Sequence, residues 1–451
     1  MSVVPGDIDT GQGPPMTLPL RHFVVAVGFL VVATGLAVAD AVGSLPGLAG
    51  IAHVHLLLAG WVCITIMGAM TQFVPVWSGV ALHSRRLAGI QLWLVAAGVL
   101  GMAGSFLLGA LPWVHVFGTL AVAGFWTFAY NLGRTLARVD GLDVTEAHFA
   151  FALACFVAVT ALGFLLALGY AVPVFAALPV ARVDVVGAHA TLAVFGAILT
   201  TVFGALYQLA TMFTQTELDG MDHHLRRIES YGYPAGVLAL AGGRLVGSAA
   251  LARAGGALIV VAVAGLSLLL ARRLVETRVD WTPMLSRYAV VAASMAGWSL
   301  LTAPAWLTDP LAPAHRFGGP GTVHLLALGV IGFVVLGTLY HIVPFIVWVH
   351  RYSDRLGFED VPMIDDLYAD RLAAADFALI LGGAVGLVAT DLVALPAFVA
   401  PLGGVLVATG TVVFAANLLA VLRNHSPHTL AGVLFARVRS DDESADGTPA
   451  Q

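Results

Sequence analysis

Lysine is missing from the 451 residues, and all 21 basic side chains are arginine. Charged residues of either sign make up only 10% of the chain and the net charge is −5, which excludes a nucleic-acid-binding surface. Cysteine is nearly absent too: Cys63 and Cys155 both sit in apolar runs, too few for a disulfide framework or a thiolate zinc site, and read as core residues. What fills the chain instead is hydrocarbon, with 59% hydrophobic residues and a mean hydropathy of +0.92. No ordinary soluble domain of this length has that composition. The chain reads as an all-α polytopic membrane protein.

A helix needs about 20 apolar residues to cross the hydrocarbon. Cutting at charged, Pro-rich and Gly-rich breaks gives twelve runs, near 22–45, 50–77, 87–109, 112–137, 146–171, 184–213, 231–249, 254–275, 286–307, 320–348, 372–395 and 398–422. Residues 1–20 have no basic n-region and read as a flexible lead; residues 21–425 form the membrane domain, and 426–451 an acidic cytoplasmic tail. With the N-terminus inside, 17 arginines fall on the inner side, against Arg182, Arg253 and Arg316 in the outer loops. That bias puts both termini in the cytoplasm and the protein in the cell membrane.

Span two begins AHVHLLLAGWVCITIMGAMTQFVPVW, and two later stretches follow its pattern: VGAHATLAVFGAILTTVFGALYQLATMF (186–213) and GTVHLLALGVIGFVVLGTLYHIVPFIVW (321–348). With His55, Thr191 and His324 in one column, Gly60, Gly196 and Gly329 align without a gap. So do Gly68, Gly204 and Gly337. Gln72, Gln208 and His341 share a further column, as do Pro75, Thr211 and Pro344. Four spans separate each pair of stretches and return the chain to the same side of the membrane. The expectation is twelve helices in three parallel four-helix units (about 21–140, 145–278 and 284–425) with pseudo-threefold symmetry.

Each repeat opens on an H-x-H window: His53 and His55, then His189 and Thr191, then Thr322 and His324. Two residues turn a helix by about 200°, so the two positions of a window face opposite neighbours. One direction round the ring pairs His53 with His324, His55 with His189 and Thr191 with Thr322. The other matches only one pair of histidines. The first is self-consistent and yields two imidazole pairs near the outer surface. Facing imidazoles in an oily setting suit the two axial positions of a heme iron, with copper the other metal that favours imidazole. Buried polar side chains in a bilayer are costly and usually functional.

At these residues the chain resembles the heme-copper oxidase superfamily, in particular subunit I of terminal oxidases and nitric oxide reductases. The resemblance covers all twelve spans in architecture and is specific in three. The spacing from His324 to Gly337, His341 and Pro344 is similar to that family's tenth helix, and HVHLLLAGW to the H-x-H window of cbb-type oxidases. It implies that His53 and His324 ligate a low-spin b-type heme; His55 and His189 would hold a second heme or copper.

The chain also departs from the family. Thr322 stands where the tenth helix carries the ligand of the oxygen-binding heme. Span seven lacks the His-His pair of the copper site, and His223 and His224 fall in DGMDHHLRRIES, expected as an inner loop. No arginine pair for the heme propionates follows span eleven; Arg182, or Arg316 with His315, is the substitute. Only Asp40, Asp376 and Asp391 fall within spans, near their ends, with no deep glutamate. Tyr207 and Tyr340 read as packing or interfacial aromatics, and His341 as a cap on polar groups near the inner surface. These losses favour electron transfer or diatomic-gas chemistry over oxygen reduction, and leave open whether the protein is an oxidoreductase, whether copper binds and which redox partner donates. Two alternatives stand beside this. One is a heme- and copper-containing nitric-oxide-response protein of the NnrS type, to which GAMTQFVPVWSG is similar; the other is a metal or small-solute transporter.

Overall fold

The computed structural model describes residues 13–43 and 45–435. Among them there is no strand, and eleven helices are long and apolar enough to cross a membrane. In chain order the helices are α1 (Thr17–Val42), α2 (Ala49–Ser78), α3 (Arg85–Leu107), α4 (Val114–Leu136), α5 (Val144–Leu168), α6 (Arg182–Thr214), α7 (Met221–Leu245), α8 (Ala249–Val275), α9 (Pro283–Thr308), α10 (Leu325–Arg351), α11 (Asp370–Leu392), α12 (Val399–His425) and a short α13 (Leu430–Phe435). The expected N-terminal lead is cut short at Thr17, where α1 starts. In the expected tail, α13 packs back on α1, with Arg21 Nε donating to the Val433 carbonyl at 3.3 Å; the remaining tail, 436–451, lies outside the described residues.

The departure from twelve apolar spans is α7. Its first half, MDHHLRRIES, is helix and not the expected loop. The physical reason is amphipathicity. Asp222, Glu229, Tyr233, Val237, Leu240 and Arg244 recur at three- to seven-residue intervals and are all buried, while the charges between them lower the average hydropathy that would mark a span. Helix α7 packs along α8: a Cβ on Gly243 would lie 2.5 Å from the Ala252 nitrogen. Gly98 meets Ala121, and Gly383 meets Gly403, at the same 2.5 Å, so α3 with α4, α7 with α8 and α11 with α12 each form a close antiparallel pair.

Three helices are not α-helical throughout. Immediately after His55, Thr191 and His324 the chain widens into π-helical segments of eight residues each, Leu56–Cys63, Leu192–Leu199 and Leu325–Gly332. They begin at 136- and 133-residue intervals, the spacing of the sequence columns. The glycine columns have a physical cause as well. A Cβ at Gly60, Gly196 or Gly329 would sit 2.3 Å from Phe29, 2.9 Å from Cys155 and 2.4 Å from Ser294; at Gly68, Gly204 and Gly337 it would meet His22, His148 and Arg287 at 2.7, 2.6 and 3.1 Å. Thus α1 crosses α2, α5 crosses α6 and α9 crosses α10 in the same register, at points too close for a side chain.

Candidate functional site

His53 and His55 lie in the α-helical first turns of α2, two residues apart, and so point to opposite sides. His53 Nδ1 is 2.9 Å from the Ala33 carbonyl of α1, and His55 Nδ1 is 2.8 Å from the Ile51 carbonyl of its own helix. On α6, His189 Nδ1 lies 2.9 Å from the Val159 carbonyl of α5. At the N-terminal cap of α10, His324 Nδ1 lies 2.7 Å from Asp391 Oδ2 of α11. Carbonyl and carboxylate oxygens accept, so in each ring Nδ1 carries the proton and donates. In a neutral imidazole that leaves the lone pair on Nε2, and none of the four Nε2 atoms has a hydrogen-bond partner among the described residues. A histidine whose second nitrogen is anchored in this way is the arrangement seen behind metal-ligating imidazoles, since the anchor sets both tautomer and ring orientation.

The four rings fall into two couples. His53 lies near His324, and His55 near His189. The second couple shares a cavity of about 360 Å³ between α2 and α6, walled by α3, α4 and α5. Its body is apolar, with Leu58, Met102, Phe125, Phe156 and Phe164, and Arg182 and Arg316 stand on its wall. Cofactor sites of about 300–1,000 Å³ with an apolar body and a few polar groups are typical. Arg182 is held in place by a bond to the Leu166 carbonyl at 2.8 Å and by lying 4.3 Å over the Tyr170 ring. His315 does not line this cavity; its Nδ1 donates to the Asp309 carbonyl at 2.7 Å.

The third space, between Thr191 and Thr322, is filled by protein. Phe195, Trp298 and Trp306 pack ring against ring with centroids 5.4–5.6 Å apart. Arg244 of α7 lies 5.5 Å from the Trp306 ring centroid and donates to Thr191 Oγ1 at 2.8 Å and to the carbonyls of Pro310, His315 and Arg316. Thr322 Oγ1 turns back to the Gly319 carbonyl at 2.7 Å. A planar cofactor has no room there.

Further along the helices two buried carboxylates appear and one expectation, for His341, is corrected. Glu229 of α7, level with the first turns of α5, is 1% exposed, lies 2.9 Å from His148 Nε2 through one oxygen, and accepts from Tyr207 at 2.8 Å through the other. Asp376 is wholly buried; it pairs with Arg287 and accepts the Tyr340 hydroxyl. Tyr207 and Tyr340 therefore serve as hydrogen-bond donors to buried carboxylates. His341 caps no polar group among the described residues but packs on Phe213, centroids 4.4 Å apart, and on Phe345. Glu229 was missed because DHHLRRIES has the look of a solvated charge run. The 3.6-residue spacing of Asp222, Glu229 and Tyr233 within it was the available signal.

Among the described residues no three His, Cys, Asp or Glu side chains converge as a metal site. Cys63 and Cys155 are both buried and free. The chain matches no protein-family model and no curated protein.

Proposed function

We propose that this is a twelve-span membrane heme protein, resembling subunit I of heme-copper oxidases, that holds two b-type hemes between imidazole pairs and relays electrons. His53 with His324 would hold one heme, His55 with His189 the other. The observation that carries this is the common state of the four rings: each Nδ1 is bound to an oxygen acceptor and each Nε2 is free. Two imidazoles alone leave copper or zinc short of ligands, whereas a heme brings four nitrogens of its own. That favours heme over copper here, and over a metal-transport site. Bound heme would supply a one-electron couple. The chain's own residues fix the imidazoles, exclude water with apolar walls, and offer Arg182 and Arg316 to anionic substituents at the cavity.

The three-unit arrangement about a pseudo-threefold axis belongs to the same reading, supported by the π segments after His55, Thr191 and His324 and by the matched crossings at the glycine columns. Helix α7 would be the twelfth span, since 25 residues reach about 37 Å. Arginine asymmetry supports cytoplasmic termini and a plasma-membrane location. The test is a reduced-minus-oxidised spectrum with heme and copper quantification on the purified chain. Two hemes per chain are expected, one lost in His189→Ala and the other in His324→Ala. Absence of a Soret band refutes the proposal, and copper in place of heme would favour the nitric-oxide-response reading.

A further inference from the structure

A second cavity, of about 70 Å³, lies between α2, α6 and α10, past the histidine windows and their π segments. Its wall is built in rings. Met70, Leu206 and Leu339 form one ring, and Phe73, Leu209 and Ile342 the next, each taking one residue from each helix at the 136- and 133-residue steps of the sequence columns. Except for Phe73, at 7%, these six are at most 3% exposed. The hydroxyls on the wall are already engaged. Thr65 Oγ1 donates to the Trp61 carbonyl and Thr201 Oγ1 to the Ala197 carbonyl, both at 2.8 Å, and Thr338 Oγ1 shares a 2.8 Å hydrogen bond with the Tyr288 hydroxyl.

An interior water needs two to four polar partners, and an apolar cavity without them stays dry and takes apolar guests. The volume sets the size of the guest. One water needs about 10–15 Å³ by this measure and benzene enters a cavity of about 150 Å³, so 70 Å³ lies between the two. We infer that the cavity between α2, α6 and α10 is a binding site for one small uncharged apolar molecule, of the size of dioxygen, nitric oxide or xenon. Dispersion contacts with the two rings hold the guest, and it reaches the site from the bilayer, where such molecules dissolve readily. Ten residues of helix, among them the π segment Leu56–Cys63, separate His55 from Thr65, so the site stands apart from the imidazoles and does not depend on the heme proposal.

The test is xenon pressurisation of crystals of the full chain, with anomalous scattering locating the gas. One xenon is expected between Leu206 and Leu339. Ala205→Leu, which adds bulk to the wall, abolishes that peak and leaves the helix packing around it unchanged in the same crystals. Leu339→Ala enlarges the cavity and admits iodobenzene, which guards against a filled variant that fails to fold. Ordered water in the cavity, or no xenon in the wild-type crystal, overturns the inference.

Discussion

Replacing Asp376 by alanine removes the partner of a wholly buried guanidinium. Arg287 is fully enclosed, lies 4.7 Å from the Tyr340 ring centroid and 5.2 Å from that of Phe377, and uses Asp376 as its only anionic acceptor among the described residues. After the change it keeps the Pro283 carbonyl at 2.8 Å and the Ala373 carbonyl at 3.0 Å. Breaking a buried pair from one side costs about 3–5 kcal/mol, and the two retained carbonyls place this case near the lower end, about 3 kcal/mol. Tyr340 loses its acceptor but still receives Asn417 Nδ2 at 3.0 Å, which adds about 1 kcal/mol. The expected total is about 4 kcal/mol, read as the unfolding free energy in a dodecyl-maltoside and SDS titration followed by circular dichroism. The double change Arg287→Met with Asp376→Leu removes both charges and should return to within about 1 kcal/mol of the starting protein. The reasoning is refuted if Asp376→Ala costs less than about 1 kcal/mol, or if the double variant is no better than the single one.

Three more outcomes follow, the first two under the proposal that each imidazole couple holds a heme. Asp391→Ala leaves the His324 ring without its Nδ1 acceptor, so heme affinity at the His53 and His324 couple should fall by about 10–100-fold, as titrated with hemin, while the other couple keeps its heme. Arg182→Ala combined with Arg316→Ala should weaken retention of the heme between His55 and His189 alone, seen as loss of one heme per chain on gel filtration; equal loss from both couples would contradict the assignment. Gly204→Val forces a Cβ to within 2.6 Å of the His148 Cβ and should destabilise the α5–α6 crossing by about 1–3 kcal/mol in the same unfolding titration, where Gly133→Val, with nothing near its Cβ, serves as control.

The membrane class and the positions of most spans were legible in the chain because they depend on local composition: about 20 consecutive apolar residues are a one-dimensional property. The matching windows were legible for a related reason. His53, His55, His189 and His324 stand out against apolar sequence, and the glycine columns mark crossings where any side chain would collide. Four decisions belonged to the tertiary structure. Glu229 is buried because α7 turns one face of a charged segment inward, and a sum over that segment cannot tell which charges point where. Asp376 lies opposite Arg287, 89 residues away in the chain, and no local pattern records that partner. The hydrogen-bond acceptors of His53, His189 and His324 are the Ala33 and Val159 carbonyls and Asp391, set by how neighbouring helices stack; only His55 uses its own helix. The contrast between an open space beside His55 and His189 and a filled one beside Thr191 and Thr322 rests on Phe195, Trp298 and Trp306. In sequence those three are ordinary apolar residues; only packing brings their rings into one place.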